Sequence, residues 1–212
     1  LQARGLKPGE LPETWNLSHP EDIIDIHSAY LEAGCNIVTA NTFGCSALKP
    51  FDLEAVIRAG IENAQKAVSR FHGDRYVAYD MGPLGRMLKP LGDLPFERAV
   101  ELFAEGVRIA ARCGVDLIFC ETMNDAYEAK AAVLAAKENC DLPVFCACVF
   151  DAHAKLMTGA DPAVIATLLQ GLGVDAFGMN CSLGPAQMKH IVPILAAHAS
   201  VPVIVSPNAG LP

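Results

Sequence analysis

Charge is scarce in this sequence, and long apolar runs are absent. Only 19% of its 212 residues are charged, against 52% hydrophobic, which excludes a disordered or solvating chain. No stretch approaches the roughly 18 apolar residues of a membrane span, and the opening LQARGLKPGE has no apolar core of a signal peptide. The 16 basic and 24 acidic residues leave a net charge of −8. That balance argues against a nucleic-acid backbone or an anionic membrane as the main partner. The expectation is a soluble, cytoplasmic, globular protein. Familiar catalytic signatures are missing too: no Walker loop, no HExxH, no G-x-S-x-G elbow. Gly171-x-Gly173 sits at a helix-to-strand junction, the wrong polarity for a dinucleotide fingerprint. No lysine falls at a strand end, which disfavours Schiff-base chemistry. The six histidines are scattered without metal-ligand spacing.

What is present is a repeat of strands and helices. Six apolar, β-branched runs stand at 36–43, 76–81, 116–122, 143–150, 176–182 and 201–208. Near-continuous apolarity suits parallel strands buried on both faces. Between them lie amphipathic helices at 52–71, 96–113, 125–138, 161–172 and 185–198, the last interrupted by Pro193. Asp125 and Asp161-Pro162 read as helix caps, and Ser18 to Glu21 as a capping box opening a helix with the stripe Ile23, Ile26, His27, Tyr30 and Leu31. One connector recurs three times: Gly34-Cys35-Asn36, Gly114-Val115-Asp116 and Gly173-Val174-Asp175. A glycine after a helix fits the left-handed position that ends it. The pattern predicts a parallel α/β fold, either doubly wound or a (β/α)₈ barrel.

In both architectures the ligand site lies at the C-terminal ends of the strands, and polar residues collect there. Cys181 is the sharpest candidate, placed where a strand meets a Gly-Pro helix start and a thiolate is favoured; the competing reading is a buried small residue. Glu121 ends the run Leu117-Ile118-Phe119-Cys120, where a carboxylate needs a cation or a proton. It is read as holding a substrate ammonium group, with a salt bridge to a neighbouring strand as the alternative. Asn41, Thr42, Asp80 and Asn208 are weaker candidates, since short polar residues also serve as caps and turns. Cys146 and Cys148 share one strand face and read as core filling before half a metal site.

The strand-end segments TANTFG (39–44), DMGPLG (80–85), FCET (119–122), GMNCSLGP (178–185) and SPNAG (206–210), with LMTGADP (156–162), together resemble the homocysteine S-methyltransferase family. DMGPLGRMLKPLG (80–92) resembles its cobalamin-dependent branch rather than the betaine-dependent one. The resemblance runs over residues 1–212, one domain of about six βα units. It implies a TIM-type (β/α)₈ barrel that transfers a methyl group to the thiolate of homocysteine, giving methionine. It also implies Zn²⁺ held by three cysteine thiolates, one of them Cys181, with homocysteine sulfur in the open position. Metal coordination removes the thiol proton while leaving a nucleophilic sulfur. Glu121 is implied to hold the amino group. Asn41, Thr42, Asp80 and Asn180 are expected around the substrate, and Asn208 is expected to fill the metal's open position when substrate is absent. The implied methyl donor is methylcobalamin on another domain or protein, with S-methylmethionine or betaine behind it.

Two family elements have no counterpart in these residues: the opening Asp-Gly-Ala-x-Gly-Thr strand and the Gly-Gly-Cys-Cys strand with the other two zinc ligands. The expectation is therefore a barrel without its first and last strands and a zinc site that these residues do not complete. A ligand-binding remnant without metal competes with the enzyme reading. So does an unrelated barrel that uses Glu121 and Asp80 as acid and base.

Overall fold

The computed structural model describes residues 1–210. Six strands, β1 (Ile37–Thr39), β2 (Tyr76–Met81), β3 (Leu117–Met123), β4 (Val144–Cys148), β5 (Ala176–Asn180) and β6 (Val203–Ser206), form one sheet in the order β1-β2-β3-β4-β5-β6. Every neighbouring pair is parallel. A doubly wound sheet reverses its strand order at a switch point; this one does not. Sequential order with crossovers of one hand puts the helices between strands on the same side, and the sheet curls into a partial (β/α)₈ barrel. β1 and β6 each pair on one side only, among the described residues.

The helices are α1 (Trp15–Ser18), α2 (Pro20–Glu32), α3 (Leu53–Val68), α4 (Phe96–Arg112), α5 (Ala126–Asn139), α6 (Pro162–Gly171), α7 (Pro185–Met188) and α8 (Val192–Ala197). None is long and apolar enough to cross a membrane, among the described residues. Asp52, Asp125 and Asp161 cap α3, α5 and α6 through side-chain bonds to backbone N–H groups. The three repeated connectors have Gly34, Gly114 and Gly173 at φ of 102°, 75° and 75°, the conformation that the sequence pattern required. Pro193 falls in the second residue of α8 and separates it from α7, so the 185–198 segment is broken there.

One expected cap is not formed. Ser18 closes α1 and donates its hydroxyl backwards to the Thr14 carbonyl at 3.2 Å. α2 instead has His19 at its N-cap, with no side-chain cap bond and Pro20 in its first turn. The stripe on α2 is also rotated from the expected one. Ile23, Ile24, His27 and Leu31 are buried, while Tyr30 stays 61% exposed.

Packing is divided by the sheet. The main core lies between strands and helices and contains Ile118, Cys120, Cys146, Cys148, Phe177 and Met179. The alternate residues Ala78, Leu117, Phe119 and Ala147 form a separate small cluster on the concave face, against Phe145 and Ile204. α4 and α5 pack closely because their facing positions are small; Ala129, Ala131, Ala132, Ala135 and Ala136 are all fully buried. Gly106 of α4 lies directly against the buried Tyr79 of β2, where a Cβ would collide with the phenol oxygen. Gly106→Ala should lower the unfolding free energy by about 1–3 kcal/mol through overpacking. Urea denaturation checks this, and an unchanged midpoint would mean that α4 is free to shift.

Candidate active site

The period of two along parallel strands sends alternate side chains to the concave face. At the C-terminal ends of their strands, Asn41, Asp80, Glu121 and Ser206 all line one cleft of about 550 Å³, within the usual range for a small-molecule site. Leu117, Phe119, Phe145 and Ile204 form its apolar floor, and Ile23, Ile26, His27 and Tyr30 of α2 line its side. His27 carries a buried Nε2 without a hydrogen-bond partner, and burial pushes its imidazole down to about 4. It is a neutral wall residue at physiological pH.

Asp80 and Glu121 dominate the electrostatics. Asp80 is 7% exposed, and its Oδ1 is buried without a hydrogen-bond partner. Burial holds its carboxyl well above the usual carboxylate range, and the neighbouring Glu121 charge pushes it further up. Glu121 is raised by burial as well, opposed by hydrogen bonds to Asp80 and Asn180. Among the described residues, neither carboxyl has a lysine, arginine or histidine nitrogen within ion-pair distance. The salt bridge considered as an alternative for Glu121 is therefore not formed here. Two facing carboxyls without a cation hold a proton or attract a positive ligand group.

Beside this pair, β3 and β4 lose register between Cys120 and Met123. Thr122 in that irregularity has φ of 64°, and Cys181 and Ser182 after β5 have φ of 56° and 58°. Left-handed backbone at a threonine is strained and persists only where its surroundings hold it. Asn180 does so. Its Oδ1 accepts from Thr122 N at 3.1 Å, and its Nδ2 donates to Thr122 Oγ1 at 2.8 Å, Glu121 Oε1 at 3.1 Å and Cys181 Sγ at 3.5 Å. The Thr122 hydroxyl lies 3.8 Å from the same sulfur.

The remaining candidates divide. Thr42 is completely buried, and its hydroxyl donates to the Asp80 carbonyl at 2.9 Å and accepts from Asp80 N at 3.2 Å; it fixes β2 at Asp80. Asn41 lines the cleft but commits its amide nitrogen to the Pro12 carbonyl and Asn16 Oδ1, both at 2.9 Å. Asn208 lies apart, in a second cleft of about 270 Å³ beside Gly184, Pro185 and Gln187. Cys146 and Cys148 face the helices and are fully buried core.

Sequence reasoning missed Glu13, Asn16, Thr122 and Glu128. Glu13 is buried and accepts from Gly44 N at 2.7 Å; Asn16 is buried and bridges to the Asn41 and Val56 carbonyls at 2.8 and 3.2 Å. Both sit in a polar N-terminal segment with no local mark of burial. Glu128, raised by burial to about 6, accepts from Leu84 N at 2.8 Å and ties the loop after β2 to α5. Thr122 stood inside FCET, yet only its backbone angle singles it out.

Zinc can be tested against these donors. Cys181 is the one cysteine hydrogen-bonded to the site's side chains among the described residues; Cys120, Cys146 and Cys148, the last residue of β4, lie on the helix side of the sheet. No group of three histidine, cysteine, aspartate or glutamate side chains could hold a metal ion, among the described residues. These residues alone do not fit a three-thiolate zinc site.

A family model described as homocysteine S-methyltransferase matches residues 1–212. The chain is similar to methionine synthase of Mycobacterium tuberculosis, at 34% identity over 94% of this chain, and to that of Mycobacterium leprae, at 33% over 94%. It spans only 18% of the length of each. The metallated form of the homocysteine methyltransferase MmuM from Escherichia coli superimposes with a TM-score of 0.87 at 22% identity, covering 99% of this chain and 80% of that one. Its apo form gives 0.82 at 23%, covering 99% and 78%. At those identities the likeness establishes the fold.

A carboxyl raised by burial makes folding less favourable as pH climbs through its folded-state value. Asp80→Asn cannot ionise, so its melting temperature should gain on the wild type more at pH 8 than at pH 5. An equal difference at both pH values, read by thermal melts, would show that Asp80 ionises freely.

Proposed function

Because the chain belongs to the homocysteine S-methyltransferase family, we propose that its concave strand ends bind homocysteine and present its sulfur to a methyl donor, giving methionine. The observation that carries this reading is the pair of carboxyls, buried Asp80 and half-buried Glu121, opening on a mostly apolar cleft without a cationic partner among the described residues. An amino acid with an aliphatic tail supplies what that cleft lacks. Its α-ammonium replaces the shared proton at Glu121, with Asp80 behind it, and its methylenes lie against apolar wall. Cys181, tied to Glu121 through Asn180, marks the sulfur end.

Zinc, when bound, would strip the proton from the homocysteine thiol and keep the sulfur nucleophilic. Cys181 is the ligand these residues offer, so such a site needs thiolates from beyond them. Methylcobalamin carried by a separate domain or protein is the donor we favour, in keeping with the likeness to two methionine synthases; S-methylmethionine and betaine are the other candidates. Eight free cysteines suit a reducing, cytoplasmic setting. The lack of a three-donor group around Cys181 among the described residues also supports a second reading, in which the chain binds the amino acid without transferring a methyl group.

Calorimetry on the full chain separates these outcomes. L-homocysteine should bind, and 4-mercaptobutanoate, which lacks the ammonium, should not. Glu121→Gln should weaken homocysteine by about 10- to 100-fold, the loss of a charge-assisted hydrogen bond of about 1.5–3 kcal/mol. Equal binding of both compounds would sink the proposal. Tight binding with no methionine formed from any of the three donors, with zinc supplied, would favour the binding-only reading.

A further inference from the structure

Asn180 was expected among the groups around the substrate, yet its side chain has nothing left to offer one. It is 1% exposed. The direction of its amide is fixed, because the Thr122 N–H is only a donor and must meet the oxygen, Oδ1, at 3.1 Å. The nitrogen therefore faces Glu121 Oε1, Thr122 Oγ1 and Cys181 Sγ, at 3.1, 2.8 and 3.5 Å. Two N–H groups shared among three acceptors leave none for a ligand. These contacts join two strands that are not neighbours, since β4 lies between β3 and β5. They also meet the backbone where it most needs support. The lost register after Cys120 frees Thr122 N from the sheet ladder, and left-handed φ values at Thr122 and Cys181 are held on either side of the same amide.

We propose that Asn180 is a positioning residue that fixes the spacing between Glu121 and Cys181, and so sets the length of amino acid the site accepts. The inference rests on the reading that Glu121 seats the ammonium and Cys181 marks the sulfur end. One rigid amide touches both anchors, so the gap between them is set by a side chain that never meets the ligand. On this proposal the gap suits an amino acid with two methylenes between Cα and sulfur, and one methylene fewer would leave one anchor unmet. Without the amide, Glu121 and Cys181 lose their common tether and Thr122 loses the acceptor for its N–H. The anchors then move independently, and the site stops measuring length.

The test compares L-methionine with S-methyl-L-cysteine, which is one methylene shorter. Neither has a thiol proton, so binding heats are free of sulfur ionisation. Dissociation constants would be measured by calorimetry on the full chain for the wild type, Asn180→Ala and Asn180→Asp. One methylene is worth about 10- to 200-fold in a fitted site. The wild type should prefer methionine by at least about tenfold. Both variants should bring that preference within about threefold, whatever happens to overall affinity, because a residue that only stabilised the fold would weaken both ligands together. Should the alanine variant fail to fold, the nearly isosteric aspartate, which keeps the acceptor for Thr122 N and loses the donors, decides the question. Variants that retain the wild-type ratio overturn the inference while leaving the homocysteine reading intact. A wild type that binds neither compound overturns the homocysteine reading and this inference with it.

Discussion

Alternation of side chains across a curled parallel sheet is the constraint on which the rest of this molecule depends. Each strand must bury one set of side chains against helices and turn the other set inward. Sequential strand order keeps the crossover helices on one face, so the other face is left to line a cleft. Apolar residues on the helix side, such as Ile118, Phe177 and Met179, supply the packing. The inward set ends in Asn41, Asp80, Glu121, Asn180 and Ser206. Stability and chemistry are thus written on the same strands at odd and even positions, and a shift of one residue would exchange them.

Within that cleft the protein departs from what stability alone would favour. A buried carboxyl, Asp80, faces a half-buried one, Glu121, and Asp80 has an oxygen that meets no donor. Such an arrangement costs free energy whenever both groups ionise. Around it the backbone is held in left-handed conformations at Thr122 and Cys181, which a saturated amide at Asn180 maintains. Thr42 performs a comparable task at Asp80, with its hydroxyl spent on that residue's backbone. The polar residues at the strand ends therefore fall into two kinds: Asp80 and Glu121, whose electrostatic demands are unmet, and Thr42 and Asn180, whose bonding capacity is used up inside the protein.

The eight cysteines divide by the same geometry. Cys120, Cys146 and Cys148 fall on the helix-facing register and pack as small apolar groups. Cys35 lines the wall of the cleft, whereas Cys181, just past the end of β5, meets the site's polar residues through Asn180 and Thr122. Membership of a methyltransferase family lends weight to that position, while no group of three metal-ligating side chains stands around it among the described residues.

Much of this was legible in the chain itself. Continuous apolar runs, aspartate caps at 52, 125 and 161, and glycines at 34, 114 and 173 specify local conformations that depend on near neighbours, and strands and helices stand close to where those patterns put them. The box at Ser18 failed because Ser18 is itself the last residue of α1, which leaves His19 at the N-cap of α2. Glu121, Asp80 and Cys181 were visible as polar residues following apolar strands. What the sequence could not contain was partnership at a distance: Asn180 reaching Thr122 over 58 positions, Asn16 reaching Asn41 over 25, and Glu13 buried against Gly44. Hydrogen-bond capacity belongs to each residue type, but whether it is spent within the protein or left for a ligand depends on which strands lie side by side. That was decided only when the sheet curled and brought the ends of β3 and β5 within reach of one amide.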